Sequence, residues 1–105
     1  MVKKNQESNK IGRKYDAERD NLWRTVLALR NLDEARAFFR DLLTESEIEE
    51  FARRWQAAQF LAKGVSYKEV ARRTWLTPRT IARIKKWLVG GKGGYQLMIN
   101  RMRRI

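Results

Sequence analysis

Arg79, Arg83 and Lys86 stand four and three residues apart, with Thr80 three before Arg83, the spacing that lines side chains along one face of a helix. The chemistry open to that face is recognition. A guanidinium offers a fork of N–H donors that matches the O6 and N7 edge of guanine, a hydroxyl donates or accepts, and an ammonium neutralises a phosphate. Lys68, Arg72, Arg73 and Lys85 add further cations nearby. The catalytic repertoire is thin by comparison. The chain has no cysteine and no histidine, so it lacks thiolate nucleophiles, imidazole bases and the usual zinc ligands. Glu45, Glu47, Glu49 and Glu50 cluster, but in the first turns of one helix, where negative charge suits the macrodipole. A two-metal nuclease would need its carboxylates facing each other across a cleft.

The cationic face has to be held by the stretch from Ser66 to Trp87, which reads as two short amphipathic helices with a tight break between them. Val70, Ala71, Leu76, Ile81 and Ile84 fall where two crossed helices touch, and the small side chain of Ala71 allows a close approach. Thr77 supplies an N-terminal cap and Pro78 a ring that fixes φ at the first helical position, where no N–H is needed. This is the pattern of a helix-turn-helix over about 66–87. Its turn departs from the usual form, because Trp75 occupies the place of the customary glycine. That place often demands positive φ, costly for a bulky residue. We expect a structural variant of the turn; the alternative is an exposed Trp75 that touches a partner or the DNA backbone.

The 105 residues make one domain with a modest core. Residues 1–19, polar and basic, read as a disordered N-terminal arm, and residues 20–105 as an all-helical domain, with helical periodicity beginning near Asp16. A first helix carries Leu22, Trp23, Val26, Leu27 and Leu29 to about Arg30, and a second, capped by Asp33, carries Ala35, Phe38, Phe39, Leu42 and Leu43. Thr44 with Glu47 and Ser66 with Glu69 are capping boxes that start the third and fourth helices. The third is a strut of about 28 Å ending before Gly64, its apolar stripe running Ile48, Phe51, Ala52, Trp55, Ala58 and Ala62. The fifth ends near Val89 ahead of a glycine-rich break, and the sixth presents Tyr95, Met98, Ile99 and Met102 on one face. Thin helices with so many large apolar residues bury one another poorly in a monomer, which implies a homodimer. Of the net charge of +12, residues 65–89 hold half, with seven Lys or Arg against one carboxylate. Concentration of charge on the two-helix segment favours a polyanion partner, double-stranded DNA.

The chain resembles the Trp repressor family, and more closely its YerC/YecD branch. The resemblance rests on FFRDLLTESEIEEFARRWQAAQFLAKGVSYKEVARRT, then TIARIKK and GGKGGY, and covers about residues 22–99. It implies an all-α, six-helix, Trp-repressor-like fold in an intertwined homodimer, with two heads entering successive major grooves of a palindromic operator. Tyr67 and Lys68 match positions that touch the DNA backbone, and Pro78, Arg79 and Thr80 match positions that face bases. Ala71 falls where the tryptophan repressor has a DNA-contacting lysine, so that contact is expected to be lost. Arg54 and Arg83 match the two arginines that flank the tryptophan corepressor, with Leu43 and Thr44 at lining positions. Ile84 and Trp87 stand where the repressor has a glycine and a serine, and Trp87 could fill the indole slot itself. The expected ligand pocket, Leu43, Thr44, Arg54, Arg83, Ile84 and Trp87, is therefore expected to work without tryptophan. Arg54 is read as paired with Glu50, and Arg83 as a phosphate contact.

The combined reading is a cytoplasmic, sequence-specific DNA-binding regulator, a dimeric repressor with Tyr67, Lys68, Arg72, Arg73, Thr77, Pro78, Arg79, Thr80, Arg83 and Lys86 at the DNA. It needs no metal or cofactor. Two alternatives stand beside it: a repressor dependent on tryptophan or another small molecule, and an adaptor that docks proteins through its helix-turn-helix. The second would want an apolar outer face, against which Arg79, Ala82, Arg83 and Lys86 argue. No stretch is apolar and long enough for a membrane span.

Overall fold

The computed structural model describes residues 2–103, with side chains from Gly12 onward, Arg13 excepted. Six helices and no strand occur among them: α1 Val2–Leu27, α2 Leu32–Leu42, α3 Glu45–Ala62, α4 Tyr67–Thr74, α5 Pro78–Gly90 and α6 Gly94–Met102. None is long and apolar enough to cross a membrane. The helices form two compact units that divide between Leu42 and Leu43.

The first unit is α1 and α2. The helical start at Val2 lies well ahead of Asp16, and the residues expected as a disordered arm are the opening turns of α1. Four Lys with Gln6, Glu7 and Arg13 favour helix there against Asn5, Ser8, Asn9 and Gly12, so backbone propensity supports the helix where apolar periodicity is missing. At the other end α1 tightens, the Ala28 and Leu29 N–H groups donating to the Thr25 and Val26 carbonyls. The cap of α2 is a second correction. Asn31 Oδ1 accepts from the Glu34 N–H at 2.9 Å, and Glu34 reaches back to the Arg30 N–H at 3.0 Å. Asp33 instead sits in the first turn, where its charge faces the helix dipole. Phe38 and Phe39 meet edge to face at 5.5 Å, yet no residue of α2 is buried.

The second unit contains α3 to α6. Its core is Ala57, Ala58, Leu61, Val70, Ile81, Ile84, Leu88 and Ile99, with Trp55, Phe60, Ala71, Leu76 and Tyr95 packed around it. Helices α4 and α5 lie on α3 and on each other, and α6 closes against α3 and α5. The alanine pair on α3 sets the close approach; burying each branched side chain opposite contributes about 1.5–3 kcal/mol. The α3 stripe is rotated and shortened relative to expectation. Ala57 and Leu61 are buried, whereas Ala52 is exposed and Phe51 is 49% exposed. The physical reason is coverage: α4, α5 and α6 engage the C-terminal half of the strut, around Ala57 and Leu61.

The boundaries of α3 to α5 follow the expected devices. Thr44 and Glu47 form the full reciprocal box, the Thr44 N–H donating at 2.9 Å and its hydroxyl accepting at 3.1 Å. The N–H donation, with the hydroxyl after it, lowers the Glu47 pKa. Gly64 adopts φ 84° directly after α3. Gly91 ends α5 against the helix itself: a Cβ there would lie 2.4 Å from the Trp87 carbonyl oxygen.

Candidate nucleic-acid interface

The segment from Ser66 to Trp87 folds as α4, a three-residue turn and α5. Ser66 Oγ accepts from the Glu69 N–H at 3.2 Å, and Thr77 Oγ1 accepts from the Thr80 N–H at 3.2 Å, with Pro78 opening α5. The Thr77 hydroxyl in turn donates to Thr80 Oγ1 at 3.0 Å. That leaves the Thr80 proton free to donate outward. Beneath this surface Val70, Ile81 and Ile84 are buried and Ala71 and Leu76 half-buried, the five residues expected to fix the crossing.

Thr74 is the one buried polar residue among the described residues, and sequence reasoning missed it. Its hydroxyl donates to the Val70 carbonyl at 2.7 Å and accepts from the Leu76 N–H at 3.4 Å. Trp75 then takes the left-handed conformation, φ 63° and ψ 14°, its N–H donating to the Ala71 carbonyl at 2.9 Å. The turn is therefore not re-formed around the bulky residue. It keeps the geometry that glycine would favour, and Trp75 is 86% exposed.

The outer face of α5 presents Arg79, Ala82, Arg83 and Lys86 to solvent, with Thr80 half-buried and Thr77 and Pro78 exposed at the leading end. Among the described residues Arg79 and Arg83 have no carboxylate partner. Lys86 lies 5.9 Å from the Trp87 ring. On α4, Tyr67 and Lys68 are exposed at the start. Arg72 and Arg73 are differently placed from the sequence expectation, because both are engaged by Glu69. Arg72 Nε donates to it at 3.0 Å and Arg73 Nε at 2.8 Å. The bond from Arg72, then that from Arg73, pulls the Glu69 carboxyl down to a pKa of about 2. Arg73 also lies over the Phe60 ring at 5.2 Å. The i+3 and i+4 spacing of this clamp was legible in the sequence.

The residues expected around a ligand are not gathered into one cavity. Arg54 bonds Glu50 at 2.9 Å, as its surface reading required, while its Nε is buried without a hydrogen-bond partner. Thr44 is occupied by its capping box, Leu43 is half-buried, Ile84 is buried in the core and Arg83 faces solvent. Trp87, half exposed, lines an open apolar cavity of about 600 Å³ with Trp55, Lys92, Tyr95, Met98 and Met102. Trp55 and Tyr95 stack there at 6.3 Å with 17° between their planes. The periodicity of α6 marked Tyr95, Met98 and Met102, but nothing local paired them with Trp55 and Trp87.

Comparison with known proteins agrees with this geometry. The Trp repressor protein family matches residues 17–103. The uncharacterized protein YerC of Bacillus subtilis is 34% identical over 86 residues, covering 82% of this chain and 83% of YerC. A crystal structure from Staphylococcus aureus, described as a candidate Trp repressor, superposes with a TM-score of 0.79 at 32% identity, covering 83% of this chain and 87% of the other. A TrpR-like protein from Eubacterium eligens gives 0.76 at 32% identity, covering 79% and 86%. The exposed cationic helix, the capped two-helix head and the six-helix order thus converge with these matches: the chain belongs to the Trp repressor family, a family of DNA-binding regulators and not of enzymes.

Proposed function

We propose that the protein is a cytoplasmic, homodimeric, sequence-specific repressor that binds a palindromic operator without tryptophan as corepressor. The observation that carries the DNA reading is the leading end of α5. Thr77 and Pro78 start it, Ile81 and Ile84 anchor it in the core, and Arg79 and Arg83 project from it with no carboxylate partner among the described residues. Arg79 and Thr80 read base edges; Tyr67, Lys68, Arg83, Lys85 and Lys86 hold phosphates. Arg72 and Arg73 lie at the same surface but are held by Glu69, which limits their share of the phosphate contact, and Arg73 is held further by packing on Phe60.

The dimer reading is supported by apolar surface that a single chain leaves uncovered. Trp23, Leu27, Leu32, Leu42 and Phe51 are exposed, and so is the aromatic and methionine cavity at α6. Large apolar side chains left exposed on each unit are what an interface between copies would cover. Independence from tryptophan is supported by Ile84 and Trp87 at the positions of the repressor's glycine and serine, and by the Arg54–Glu50 pair. The second reading, a small-molecule effector, is favoured by the partnerless buried Arg54 Nε.

The test is selection of bound genomic fragments by the purified protein, followed by titration of the selected duplex and of random duplex over a salt series. Operator binding at least a hundredfold tighter than random binding supports the reading, and equal affinities refute specificity. Sedimentation giving a folded monomer refutes the dimer. A micromolar calorimetric signal with tryptophan refutes corepressor independence.

A further inference from the structure

Trp75 carries two costs that its own chain does not repay. Its φ of 63° lies in the left-handed region, where a bulky side chain is strained. Its indole, among the largest apolar groups in the chain, is 86% exposed and meets no aromatic or cationic partner among the described residues. Only its backbone has work to do in the fold, closing α4 on the Ala71 carbonyl, and glycine would do that at least as well. The side chain is the part left to explain.

Its position narrows what it can meet. Trp75 follows Arg72 and Arg73 and precedes Thr77, Pro78 and Arg79, and no carboxylate occurs from residue 70 to residue 89. An indole in such company faces a surface that is anionic yet has apolar ground between its charges. The sugar–phosphate backbone has this composition: deoxyribose carbons to meet the ring face, and phosphate oxygens to accept from Nε1–H. A duplex entered by the leading end of α5 brings that backbone to the turn.

We infer that Trp75 is a DNA-backbone contact, a flat apolar buttress that lies against deoxyribose with its Nε1–H directed to a phosphate, flanking the groove that α5 enters. This rests on the DNA-binding reading above and adds a residue and a contact type to it. The contact reads no base and releases no counterion. It therefore strengthens operator and random duplex alike and leaves the salt dependence alone.

Trp75→Gly is the decisive variant, because it relieves the backbone rather than damaging it. It is expected to remain folded and to melt within about 5 °C of the parent. Its affinity for operator and random duplex should fall by the same factor, roughly tenfold, with the salt slope unchanged. Trp75→Phe, which keeps the ring face and loses the donor, should recover most of the loss. On adding duplex, the emission difference between the parent and Trp75→Phe should be quenched. Unchanged affinity in Trp75→Gly overturns the assignment while leaving the DNA reading intact. A parent protein that binds no duplex overturns the DNA reading itself. Selective loss of operator binding would make Trp75 a base reader, and a shift in self-association would place it between copies; either result also overturns the assignment.

Discussion

Glu69 holds two guanidiniums that the DNA interface needs, so removing its charge should change how the protein responds to salt. In the free protein one carboxylate neutralises half of the charge on Arg72 and Arg73. Glu69→Gln keeps the N–H capped by Ser66 and the length of the side chain, and adds one net positive charge in the first turn of α4. Arg72, with a 68% exposed side chain, is the group set free; Arg73 is 46% exposed and remains on the Phe60 ring. If the freed charge meets a phosphate, the slope of log affinity against log salt steepens by about 0.9. Between 50 and 200 mM salt the variant then loses an extra factor of about 3.5 in affinity compared with the parent. Fluorescence anisotropy of a labelled random duplex across a salt series measures this directly. Adding Arg72→Gln to the variant should restore the parental slope. An unchanged slope in Glu69→Gln would refute the reasoning, because it would mean that Arg72 does not face the duplex backbone.

Three further outcomes follow from the same geometry. Arg79→Ala should cost about 1–3 kcal/mol at the operator and much less on random duplex, lowering the ratio between them; competition titrations report both. Acid should weaken the fold through Glu69, whose folded pKa of about 2 lies below its ordinary value of 4.5. Its contribution is complete above pH 4.5 and is lost as pH falls from there toward 2. Melts by circular dichroism over that range should show a smaller decline in Glu69→Gln than in the parent. Gly91→Ala would press a Cβ to 2.4 Å from the Trp87 carbonyl oxygen. It should destabilise by about 1–3 kcal/mol, whereas Gly90→Ala, with open space around it, should stay within about 0.5 kcal/mol in the same denaturation assay.

The parts of the fold legible from sequence are those decided locally. Thr44 with Glu47, Ser66, Thr77 with Pro78, and Gly64 each act within four residues, and each bounds its helix as expected. The second box is only half closed, because Glu69 turns to Arg72 and Arg73 instead of returning to Ser66. Two near neighbours competed for the start of α2, and Asn31 took the role expected of Asp33. The α3 stripe was misplaced because an alanine-rich helix shows the same weak periodicity over adjacent faces, and only the packing of α4 to α6 selects Ala57 and Leu61. The recognition face was legible because exposure of Arg79, Arg83 and Lys86 follows from helical spacing. The cavity beside Trp87 was not, since it joins residues from α3, α5 and the far side of the glycine-rich break.

Thr74 has a consequence for the freedom of its neighbour. Because a single enclosed hydroxyl fastens the last turn of α4 to the connector, the angle between the two head helices does not depend on which side chain follows it. The backbone at position 75 keeps the left-handed turn that glycine would favour, but the indole, 86% exposed, holds none of that hinge together, and what it contributes lies beyond the chain.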